Sequence, residues 1–127
     1  MEVNEPVLDS ATVARLRQLA DSVARPGEDL IARLVDIFVT DSRTRFNECA
    51  ACWRTGDHVV AGRAAHTIKG SASNLGANRV VVGARAIEDA CRNGAPVDEA
   101  ALTALDAALV EAHAALRELS ASSAMSA

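Results

Sequence analysis

The sequence predicts an all-α protein: an up-down-up-down four-helix bundle with one additional N-terminal helix. Three observations predict it. No strand-like alternation persists anywhere, whereas apolar residues recur at steps of three and four. Proline, glycine and short polar clusters cut the 127-residue chain into five such pieces. Their connections are short, so sequential helices should be antiparallel neighbours. Half of the chain is hydrophobic, much of it alanine, and aromatics are only 2%. That composition suits closely packed helices, because alanine is the best helix former and takes little space.

The first helix is expected over about residues 10–24, capped by Asp9 or Ser10 and carrying Val13, Leu16, Leu19, Ala20 and Val23; "RPG" at Arg25 to Gly27 ends it. The second, over about residues 28–54, bears Ile31, Leu34, Val35, Phe38, Phe46, Cys49 and Trp53. In "TGD", Gly56 supplies a left-handed end and Asp57 caps the third helix, over about residues 58–75, which Gly76 closes. Asn78 is placed to cap the fourth, over about residues 79–92, with the stripe Val80, Ala84, Ile87 and Cys91, and "NGAP" ends it. The fifth covers about residues 97–119, where Leu102, Leu105, Leu109, Ala112, Leu116 and Leu119 form a bundle seam. The last residues, "SASSAMSA", have no stripe. The expectation is a bundle domain over residues 1–120 and a disordered tail over residues 121–127.

Charge and composition exclude several functions. The formal charge is −4 with a pI near 5.3, and there is no basic stripe to neutralise phosphates. With so few aromatics there is no stacking platform either, so nucleic acid is not expected as a partner. No apolar run approaches the roughly 18 residues of a membrane span. The start, "MEVNEPVLDS", lacks the basic and apolar regions of a signal peptide. The three cysteines, Cys49, Cys52 and Cys91, then read as reduced thiols in a cytoplasm.

The third helix carries the chemistry. At about 100° per residue, Ala61, Ala65, Ile68, Ala72 and Leu75 share a core-facing side. His66 points away from it, among Val59, Gly62, Lys69, Gly70 and Ser73. Gly62 and Gly70 lie one turn either side of the histidine, and each costs roughly 0.8–1 kcal/mol relative to alanine in a helix. In an alanine-rich chain, two such losses beside one polar residue point to clearance for something bulky approaching the imidazole. Lys69, at i+3, suits an anion there, such as a phosphoryl group.

These residues, "AAHTIKGSASNLGA", closely resemble the histidine-containing phosphotransfer domain, with its His-x-x-Lys-Gly followed by small residues and a glycine. The match covers His66, Lys69, Gly70, Ser71, Ala72 and Gly76, and the helix count extends it over most of the chain. The resemblance implies that His66 accepts a phosphoryl group from the aspartyl phosphate of one receiver domain, as in a hybrid histidine kinase, and passes it to the receiver of a response regulator. Lys69 would support the phosphoryl group, and Val59, Gly62, Gly70 and Ser73 would meet the receiver. Many relatives place a glutamine on the next helix; the matching position here is Glu88. A carboxylate there orients an imidazole but repels a phosphoryl oxygen, so a partner of His66 and a solvated glutamate both stay open.

Phosphoryl transfer is mainly positioning and charge neutralisation. The chain has no carboxylate cluster for magnesium and no phosphate-cradling glycine loop for a nucleotide. It is therefore expected to bind no cofactor, to rely on magnesium held by the receiver, and to lack kinase activity of its own. A monomeric cytoplasmic carrier follows. Three other readings compete: a purely structural adaptor bundle, a Cys49-x-x-Cys52 metal or redox site with His58 and His66, and a substrate of a separate kinase core. The metal reading requires ligands to converge, yet Cys49 belongs to a core stripe and His66 faces solvent. His58 and His113 read as ordinary polar positions.

Overall fold

The computed structural model describes residues 6–23 and 29–125, and its order is α1 (Ser10–Val23), α2 (Leu30–Arg54), α3 (His58–Asn74), α4 (Asn78–Arg92) and α5 (Glu99–Met125). Helices α2 to α5 pack in a ring, each against its sequence neighbour, and α5 closes it against α2. This is the expected antiparallel four-helix bundle. The core is the set of stripes read above: Ile31, Val35, Phe38, Cys49 and Trp53 of α2, Ala61, Ala65, Ile68 and Ala72 of α3, Val80, Ala84 and Ile87 of α4, and Leu102 through Leu119 of α5. Small side chains bring helices close. A Cβ placed on Gly83 of α4 would stand 3.4 Å from the Leu105 backbone of α5.

α1 lies across the end of the bundle where α3 turns into α4. The Asp9 amide donates to the Gly76 carbonyl at 2.7 Å, and the Asp9 carboxylate accepts from the Thr12 amide and hydroxyl, capping the helix. Gly76 has φ of +72°, and an added Cβ there would sit 2.9 Å from the Thr12 Cβ. Conformation and close approach therefore both select glycine. Leu19, expected on the core side of α1, is 51% exposed. A helix laid over one end of a bundle buries a narrower stripe than a helix within it. The "RPG" stop lies outside the described residues, as does Glu28.

Asp29 caps α2 through the Ala32 amide, and Asp57 caps α3 through the Val60 amide. Gly56, at φ of +84°, makes the turn between them. Asn78 does not cap α4. It is the first helical residue, after Ala77, which makes no side-chain cap bond. Asp98 caps α5 by accepting from the Ala100 and Ala101 amides, so that helix begins at Glu99. It continues past the end of its seam to Met125, through residues 121–125 where the sequence suggests a disordered tail. Extending an existing helix through serine, alanine and methionine needs no new nucleus.

Neither His58 nor His113 is a plain surface position. The His58 Nε2–H donates to the Ala95 carbonyl at 2.7 Å, beside the Trp53 Nε1–H at 3.0 Å, and the two tie down the α4–α5 connection. His113 shares a 2.9 Å hydrogen bond with the buried Ser42 between α5 and α2, and stands edge-on to Phe38. Burial pushes the Cys49 thiol up to about 12 and raises Cys91, so neither is a ready thiolate.

Candidate functional site

The site is assembled from two adjacent helices, α3 and α4. The α3 stripe turned inward leaves His66 outward, with 65% of its side chain exposed. On α4, the inward stripe includes Glu88, four residues after Ala84 and three before Cys91. Glu88 is therefore carried to the α3 seam and is only 8% exposed.

A carboxylate in that position needs partners, and it has them. Its Oε2 lies 2.6 Å from His66 Nδ1, and its Oε1 accepts from Lys69 Nζ at 2.5 Å. The hydrogen bond from Lys69 is the main reason the Glu88 carboxyl sits below the usual range, with the bond from His66 adding to it and burial opposing both. Glu88 is thus ionised near neutral pH and can only accept. The proton of this contact belongs to His66 Nδ1. In the neutral ring the lone pair is then on Nε2, the nitrogen not held by Glu88.

Lys69 is turned toward Glu88, with 25% of its side chain exposed. One carboxylate thus bridges the lysine and the imidazole. Arg92, one turn beyond Glu88 on α4, places Nη2 3.6 Å from Glu88 Oε2 and Nη1 3.3 Å from Asp89 Oδ1, with 68% of its side chain exposed. Val59, Gly62, Arg63, His66, Glu88 and Arg92 line one open groove between α3 and α4.

The two glycines differ. A Cβ on Gly70 would meet nothing within 4 Å, so no internal contact requires a glycine there. On Gly62 it would stand 3.4 Å from the Cys91 Cβ, so Gly62 also serves the close α3–α4 packing. Val59 is 63% exposed, and Ser73 is exposed farther along the same helix. Among the described residues, no three His, Cys, Asp or Glu side chains are grouped as a metal site. Glu88 has its signal in the sequence, a carboxylate on an apolar stripe; Arg92 has only its i+4 spacing from Glu88.

A family model described as "Hpt domain" matches residues 33–119, well over half of the chain. The chain belongs to the Hpt domain family. The chain is similar to the crystal structure of a histidine-containing phosphotransfer protein B from Pseudomonas aeruginosa PAO1, 23% identical, covering 91% of this chain and 95% of that one with a TM-score of 0.76. At that identity the likeness shows the shared fold. No curated protein matches the chain in sequence. This Hpt domain is a histidine phosphotransfer carrier of phosphorelay signalling. Among its described residues no helix is long and apolar enough to cross a membrane.

Proposed function

We propose that His66 is the phosphoacceptor, taking the group from the aspartyl phosphate of one receiver domain and yielding it to another. One observation carries this reading: a carboxylate holds Nδ1–H at 2.6 Å on an imidazole that is otherwise open to solvent. The Nε2 lone pair attacks phosphorus in line. The N–P bond forms as the P–O bond to the receiver's aspartate breaks, and that carboxylate leaves with the electron pair. The ring becomes cationic as it reacts, and Glu88, still bonded to Nδ1–H, offsets the charge. Return transfer reverses the same steps.

Lys69 acts first on Glu88, fixing the carboxylate that orients the imidazole. Val59, Gly62, Gly70 and Ser73 make the surface that meets the receiver, with Gly70 as the clearance. Magnesium belongs to the receiver's acidic site, and the domain supplies the nucleophile as a monomeric cytoplasmic carrier without kinase activity of its own. The test is transfer from a phosphorylated receiver in magnesium. The label should be acid-labile and alkali-stable, and His66→Gln should abolish it while the helical circular dichroism is retained. Labelling that persists in this variant overturns the assignment.

A further inference from the structure

Glu88 beside His66 raises a charge problem. Lys69 and Glu88 neutralise each other. A phosphoryl group then adds roughly −1.5 to −2 near neutral pH, which the single positive charge of the reacted ring offsets only in part. Lys69 is poorly suited to answer it, because its ammonium is 2.5 Å from Glu88 Oε1 and its side chain is mostly covered. Arg92 is different. Its contacts are long, 3.6 Å to Glu88 Oε2 and 3.3 Å to Asp89, and its side chain is 68% exposed in the same groove as His66. The pair with Asp89 is exposed on both sides and is worth little, and the contact with the buried Glu88 is long, since Lys69 already holds that carboxylate, so the guanidinium can be exchanged to another anion at small cost.

We propose that Arg92 is the phosphoryl-binding residue of this domain: once His66 is phosphorylated, its guanidinium leaves Asp89 and Glu88 and binds the phosphoryl oxygens. The Glu88 oxygen that holds Nδ1–H is also the one Arg92 approaches, so guanidinium and imidazole already border the same atom. A planar guanidinium offers paired donors to two phosphoryl oxygens, which an ammonium does not. Lys69 holds the carboxylate and Arg92 holds the phosphoryl group. This division rests on the reading of His66 as phosphoacceptor.

The charged and titratable groups that line this groove beside His66 are Arg63 and His58 of α3 and Glu88, Cys91 and Arg92 of α4, with Lys69 and Asp89 paired to Glu88 and Arg92. The experiment is a ³¹P NMR titration of the full chain after phosphorylation by a receiver, for wild type, Arg92→Gln, Arg92→Lys and Arg63→Gln. Loss of a direct Arg92 contact should raise the second phosphoryl pKa by about one unit in Arg92→Gln and by less in Arg92→Lys. Arg63→Gln, which removes a charge from the same groove, should leave it close to wild type. The equilibrium share of phosphoryl between domain and receiver, a ratio independent of docking strength, should move about tenfold toward the receiver in Arg92→Gln. An unchanged titration in Arg92→Gln, or an equal shift in Arg63→Gln, overturns the contact. A wild-type chain that takes no phosphoryl group overturns the reading of His66 itself, a failure distinguishable from both.

Discussion

Gly70 separates what the fold needs from what a partner needs. It lies one turn past His66, its φ is not positive, and a Cβ there meets only solvent. Within the domain, alanine would be the better residue. Gly70→Ala should stabilise the fold by about 0.5–1 kcal/mol, read by thermal or urea denaturation. Gly70→Leu should stay as stable as wild type, yet slow transfer from a receiver by about tenfold, equivalent to ~1.4 kcal/mol of lost docking. Normal transfer by a folded leucine variant would remove the clearance role. His66 and Gly70 were legible because each breaks a local rule on an exposed face. The bond from Lys69 to Glu88 was not, since only packing of α4 on α3 brings those side chains together. The same packing brings Glu88 Oε2 to 2.6 Å from His66 Nδ1, which supports the reading of Glu88 as the partner of His66 over that of a solvated glutamate.

At the scale of elements, stripes and turn residues located every helix, and boundaries were the weak point. Asp29 and Asp98 replace the expected starts, and Asn78 sits inside α4 because Ala77 takes the cap position. The α2–α5 seam holds a polar pair that no periodicity announces, Ser42 with His113. Burial lowers the His113 pKa below its ordinary 6.5, helped by Arg43 and Arg117, while Asp106 opposes. The unfolded chain therefore binds this proton more readily than the folded one. Stability from the neutral ring is complete above about pH 6.5 and is lost as pH falls through the lower, folded value. Denaturation midpoints measured from pH 7.5 down to 5 should fall more steeply for wild type than for His113→Gln. Parallel curves would mean that the ring is protonated without penalty between the helices.

For the whole molecule, four antiparallel helices give α3 two packed flanks, α2 and α4, and leave its third side to solvent. The end-on position of α1 was not readable from its own stripe. It depends on the Asp9 amide meeting the Gly76 carbonyl, a contact between segments far apart in sequence. The bundle's contribution to chemistry is to hold one imidazole outward with its Nδ1–H fixed by a carboxylate from the next helix. Which ring nitrogen carries phosphorus tests this most directly. The chain, labelled with ¹⁵N in its histidines and phosphorylated by a receiver, should show ³¹P–¹⁵N coupling to Nε2 of His66, with Nδ1 still protonated. Coupling to Nδ1, or phosphorus on His58 or His113, would contradict it.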